Sequence, residues 1–171
     1  MTEIIIGDFS NKQHTNAVIK LALQHDFYTD QIWNMVLRKV SPTMRNNLLN
    51  AGVSRSKILK MEKEAFEMYE GFNWEFRLLM KDDKVIGFSF WDYPKKEGKG
   101  VCLEFLLIDN AERNNKYGTL LMDDFIKWAD ANRPEIKIQF KNSPMLRAFY
   151  TKYGFSGVDS EDGSLTTWYR N

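Results

Sequence analysis

Cysteine is almost missing from this chain. Cys102 stands alone among 171 residues, so no intrachain disulfide can form and a reducing compartment, the cytoplasm, is the expected setting. Histidine is scarce too. With 2 histidines and 1 cysteine, a metal site built from soft ligands is not expected. No apolar run approaches the roughly 20 residues that a bilayer-spanning helix needs, so no membrane partner is expected. The N-terminus lacks the basic segment and long apolar core of a secretory signal. Neither charge is in surplus: 24 Lys and Arg against 23 Asp and Glu leave +1, which gives little attraction for nucleic acid. Internal repeats, low-complexity tracts and linkers are absent as well.

What remains is ordinary in bulk. A hydrophobic fraction of 43% and a charged fraction of 27% fit a soluble globular protein, and the length fits one domain over residues 1–171. The bias is aromatic, with Phe 12, Tyr 7 and Trp 5. Most of these belong in a core, and some can line a ligand cleft.

Periodicity then divides the chain. Residues 2–9 read as a β-branched strand, and Ser10 with Gln13 resembles a capping box opening a helix to about Gln24. Asp30 is placed to cap a helix carrying Trp33 and Leu37, which Ser41-Pro42 ends. Residues 43–50 and 54–69 continue as helical segments, stopped by Gly52 and Gly71. From Phe72 the period becomes that of strands. Residues 74–81 and 85–93 flank a polar turn, and 101–108 follows, giving three consecutive antiparallel strands. A helix over 117–131, a strand over 135–140, a helix over 143–153 and two closing strands around Asp162-Gly163 complete an α+β order.

Residues 101–128 organise the rest. An apolar strand holding one carboxylate, Glu104, runs into a polar loop, and the loop opens a helix. The first turn of a helix carries unpaired N–H groups and the positive end of its dipole, so this junction suits an anion. Alternation along the strand puts Glu104 and Ile108, four residues apart, on one face.

Two stretches here resemble the GNAT superfamily, the acyl-CoA-dependent N-acyltransferases. The strand end Leu106-Leu107-Ile108 and the loop Arg113-Asn114-Asn115-Lys116-Tyr117-Gly118 are similar to that family's apolar strand and R-x-x-G-x-G/A turn, with Lys116 standing for the first glycine. Tyr150, followed by Gly154-Phe155, is similar to its Y-x-x-x-G-F ending, and Asn142 lies eight residues before Tyr150, one more than is usual. The resemblance covers about residues 72–169. It implies a GNAT fold, a mixed and mostly antiparallel sheet flanked by helices.

The resemblance also implies acetyl-CoA as cosubstrate, held by main-chain groups of Leu106, Leu107 and Ile108, by the loop from Arg113 through Asn114, Asn115, Lys116, Tyr117 and Gly118 to Thr119, and by Asn142. It further implies that Tyr150 is the acid near the sulfur and Glu104 the base for an amine acceptor. Trp33, Trp74, Phe76, Phe90, Trp91 and Tyr93 are candidates for the acceptor pocket walls, with most of them expected in the core. Residues 28–70 exceed what a minimal fold of this kind needs, and are available for an acceptor lid or a homodimer surface. The implied activity is acetyl transfer to a small-molecule amine, a protein N-terminus or a lysine. The rival is a non-catalytic acyl-CoA-binding or interaction module on the same fold.

Overall fold

In the computed structural model, residues 1–8, 11–25, 46, 49, 50, 52–60, 63 and 71–170 are described. Their elements run β1 (Thr2–Ile6), α1 (Lys12–Ala22), β2 (Phe72–Lys81), β3 (Lys84–Pro94), β4 (Gly100–Ile108), a 3-10 turn at Asn110–Glu112, α2 (Tyr117–Asn132), β5 (Glu135–Lys141), α3 (Pro144–Thr151), β6 (Ser156–Asp159) and β7 (Leu165–Arg170). The seven strands form one sheet in the order β1-β2-β3-β4-β5-β7-β6. Every neighbouring pair is antiparallel except β4 and β5, which are parallel and joined by the α2 crossover.

The expected meander over 72–108 is present. Lys81 pairs with Lys84, so Asp82 and Asp83 are the whole turn, and both have positive φ, at 48° and 62°. That is the geometry in which a two-residue turn matches the twist of its strands. Gly87 of β3 is fixed by crowding, since a Cβ there would stand 2.6 Å from Ile108 Cδ1 and 2.8 Å from the Leu107 carbonyl oxygen. Helix α1 is capped by Asn11 rather than Ser10, which lies outside the described residues. The Asn11 Oδ1 accepts from the N–H groups of Gln13 at 2.9 Å and His14 at 3.3 Å. The helix expected from Asp30 to Leu37, with Trp33, also lies outside the described residues, as does most of 43–50. Residues 55–60 are helical, as expected, and Ile58 is buried.

The sheet buries both faces. On one, Val18 and Leu21 of α1 pack on Phe76, Phe88, Phe90 and Phe105. On the other, Met122 and Phe125 of α2 pack on Trp91, Val101, Leu103 and Ile136. Phe76, Phe90 and Trp91, three of the wall candidates of which most were expected in the core, are each no more than 1% exposed and lie there.

Candidate active site

Strand β4 changes character at Glu104. Toward β3, Leu103 pairs with Trp91 and Phe105 with Phe90, so Glu104 has no opposite residue and forms a β-bulge. Toward β5, pairing covers only Gly100–Leu103 against Glu135–Ile138. Beyond that point β5 continues on β7, and among the described residues no strand pairs with Phe105–Ile108 on that side. The two strands part at the bulge.

The bulge also switches the face that β4 presents. Val101 and Leu103 pack toward α2, whereas Phe105 and Leu107 pack toward α1. Strict alternation would have kept all four on one side. The expectation that Glu104 and Ile108 share a face is therefore corrected. Ile108 packs beside Leu121 of α2, while Glu104 is on the α1 face with Cys102. Burial is the main cause that pushes the Cys102 thiol well above its usual range; the Glu104 and Asp92 carboxylates add to it and Lys137 opposes it.

The loop before α2 bends through two left-handed residues, Asn114 at φ 67° and Lys116 at φ 61°, with Asn115 between them outside that region. Alternation of this kind turns successive N–H groups to one side and makes a concavity for an anion. Lys116 is the N-cap of α2 and provides no side-chain hydrogen bond, so the helix's first N–H groups have no side-chain cap. Asn115 braces the loop, its Nδ2 donating to the Glu112 carbonyl at 3.2 Å. The Lys81 ammonium lies 5.7 Å from the centre of the Tyr117 ring. Arg113 meets a residue that sequence reasoning missed: its Nη2 is 3.3 Å from His25 Nδ1. Burial lowers the His25 pKa, and the Arg113 charge adds to that. The two residues are 88 positions apart, and no local pattern signals the contact.

Three elements converge where β4 and β5 part. A Cβ on Gly118 of α2 would stand 3.7 Å from Leu106 Cδ2 of β4 and 3.9 Å from Phe149 Cζ of α3. Those are ordinary contacts and the φ of Gly118 is not positive, so the protein itself has no need of glycine there. The missing side chain leaves room for the backbone to be approached. This spacing, with the uncapped helix end, fits the phosphate-bearing coenzyme that the loop suggested. Tyr150 of α3 is 8% exposed, with its ring 4.6 Å from that of Phe140 on the unshared part of β5. Tyr153 ties α3 to α2, its hydroxyl donating to Asp123 Oδ1 at 2.9 Å. Thr119, in the first turn of α2, donates its N–H to the Lys116 carbonyl at 3.0 Å. Both halves of the Asn142 amide are bonded within the protein. Its Oδ1 accepts from Arg147 Nε at 2.7 Å, and its Nδ2 donates to the Gly163 carbonyl at 2.9 Å.

On the α1 face of the sheet, a cavity of about 530 Å³ opens beside the bulge. Glu104, Asp92, Cys102 and Lys137 line it, with Phe72 and Tyr169 at its edges. Sequence reasoning found Glu104 but not Asp92, which reads as one more polar position on an apolar strand. Among the described residues, no group of three or more His, Cys, Asp and Glu is arranged to hold a metal, and no helix is long and apolar enough to cross a membrane.

Residues 50–164 match the family model described as the acetyltransferase (GNAT) domain. No curated protein matches the chain in sequence. Among solved structures, the PaiA N-acetyltransferase of Thermoplasma acidophilum in complex with coenzyme A has a TM-score of 0.63 at 17% identity, covering 100% of this chain and 99% of that one. Escherichia coli ElaA gives 0.63 at 16% identity with both chains covered at 100%. The ribosomal-protein-S18-alanine N-acetyltransferase of Escherichia coli gives 0.61 at 13% identity, covering 99% of this chain and 91% of that one. At such identities the likeness establishes the fold: an α+β, mixed and mostly antiparallel sheet flanked by helices, shared with these proteins.

Proposed function

The chain belongs to the GNAT acetyltransferase family, and on that premise we propose that it transfers the acetyl group of acetyl-CoA to a primary amine by direct attack in a ternary complex. The observation that carries this reading is the break in β4. At Glu104 the strand loses its β5 neighbour and bulges away from β3, which puts a carboxylate at the boundary between a gap in the sheet and a cavity on the α1 face. Such a boundary lets two substrates meet from opposite sides.

Acetyl-CoA supplies an acetyl group already activated as a thioester. Along Leu106, Leu107 and Ile108 the strand has no β5 pairing, and the main-chain groups there that point away from β3 are the ones this reading gives to its pantetheine arm. The N–H groups of the loop from Asn114 to Gly118 and the Arg113 guanidinium take its pyrophosphate on this reading, while the Thr119 N–H closes the first turn on the Lys116 carbonyl. Glu104 accepts a proton from the attacking amine, directly or through water. As the nitrogen takes the place of sulfur on the acetyl carbon, Tyr150 donates its phenolic proton to the departing sulfur. The products are an N-acetyl amide and the free thiol.

Calorimetry with acetyl-CoA tests the binding half. The wild type should bind, and Gly118→Trp, which fills the space beside Leu106 and Phe149, should not. Turnover tests the chemistry. Tyr150→Phe should lower kcat by about 100-fold or more while acetyl-CoA affinity stays within about twofold. A protein that binds acetyl-CoA but acetylates no amine is the non-catalytic module instead.

A further inference from the structure

Helix α1 ends beside the loop that precedes α2. Its last turn is anchored by Leu21 and Ala22, which are no more than 2% exposed. The N–H groups of Gln24 and His25 donate back to the carbonyls of Leu21 at 3.1 Å and Ala22 at 2.9 Å, which fixes the chain just past the helix. Both side chains then reach the segment that follows β4. Gln24 Oε1 accepts from the Asn110 N–H at 2.9 Å. His25 Nδ1 lies 3.3 Å from Arg113 Nη2. A guanidinium has only protons to give, so Nδ1 is the acceptor and the ring's own proton sits on Nε2 of a neutral imidazole. Burial first, and then the Arg113 charge, favour that neutral form, while a hydrogen bond with the Ile108 main chain pulls the other way. His25 therefore joins the end of β4 to the first residue of the anion-binding loop.

Arg113 is exposed, and a long side chain that nothing holds gives up much rotamer freedom when a phosphate fixes it. A partner that holds it beforehand removes part of that cost. The kind of partner matters. A carboxylate would hold the guanidinium and cancel the charge that the phosphate needs. A neutral imidazole takes one N–H and leaves the charge and the other N–H groups for the ligand. Lys81 shows the contrasting arrangement, its ammonium 2.9 Å from Glu112 Oε2 and its charge already answered. We propose that His25 is a positioning residue for the coenzyme: by accepting from Arg113 it keeps the guanidinium at the loop that takes the pyrophosphate. This rests on the acetyl-CoA reading above and adds to it a residue from outside the loop and the sheet. His25 acts through Arg113 and touches no reacting atom.

Calorimetry with coenzyme A tests this in a cycle of four proteins: the wild type, His25→Ala, Arg113→Gln and the double variant. His25→Ala should bind about three- to tenfold more weakly than the wild type, the range that the loss of one pre-ordered side chain gives. The double variant should bind within about twofold of Arg113→Gln, because a residue that acts through Arg113 has nothing left to position once the guanidinium is gone. A residue that merely braced the fold would weaken both backgrounds alike. His25→Asn supplies the rescue. Its amide oxygen stands as many bonds from Cα as Nδ1 does and accepts from Arg113 in its place, so binding should return to within about twofold of the wild type. Wild-type affinity in His25→Ala, an equal loss in the Arg113→Gln background, or no recovery in His25→Asn would overturn the proposal while leaving acetyl-CoA binding intact. A wild type that binds no coenzyme A would overturn the acetyl-CoA reading, and the role of His25 with it.

Discussion

Lys116 and Gly118 show how two residues of one loop answer to different demands. Lys116 is held in the left-handed region, which costs a residue with a Cβ about 1–2 kcal/mol. Glycine would remove that strain and lose part of the gain through its freer unfolded chain. Lys116→Gly is therefore expected to raise stability by about 1 kcal/mol or less, read from urea denaturation. Gly118 has no such strain, and Ala would meet its neighbours at contact distance. Gly118→Ala should leave the denaturation midpoint nearly unchanged and weaken acetyl-CoA binding in calorimetry. If affinity and midpoint fell together, the glycine would be serving the fold and not the ligand. The sequence singled out both positions, but a residue type does not report its φ, and what each position demands became legible only with backbone geometry.

At the scale of elements, the order of strands and helices from Phe72 onward was readable because each carries a sustained period. Their assembly was readable only in part. A bulge is one unpaired residue, and nothing in the run from Val101 to Ile108 marks Glu104 as that residue rather than any neighbour, so alternation assigned it the wrong face. The aromatic residues are ambiguous for a related reason: Trp and Phe look alike whether they line a cleft or fill a core, and three of the named candidates fill it, as was expected of most of them. The link between α2 and α3 gives an element-level prediction. Burial, with the hydrogen bond to Asp123, raises the Tyr153 hydroxyl to about 12 from an ordinary 10.0. A folded-state pKa above the unfolded one means that this stabilisation is complete below pH 10 and is lost as pH rises from 10 toward about 12. Ultraviolet titration of the phenolates should show a late-ionising component that shrinks by one tyrosine in Tyr153→Phe. That variant should also lose about 1 kcal/mol at neutral pH.

At the scale of the molecule, a single sheet is clad by α1 on one face and α2 on the other, and Phe125 anchors the second layer with no exposure at all. Truncating it to alanine should cost about 3–5 kcal/mol, measured by denaturant unfolding. The short ladder between β4 and β5 has a mechanical meaning beyond chemistry. Among the described residues, four pairs, Gly100–Leu103 against Glu135–Ile138, are the whole strand pairing between a leaf of four strands and a leaf of three, with α2 packed across both. A seam stitched at one end only lets the leaves flex about the stitches like the covers of a half-open book. On the proposed reading, a cosubstrate lying in the opening would act as a spine. Native-state hydrogen exchange should show the amides of Phe105–Ile108 slowing when acetyl-CoA is added, while those of the β2–β3 hairpin keep their rates. The cosubstrate would thereby be a structural member as well as a reagent, and the protein would be stiffest when it is loaded.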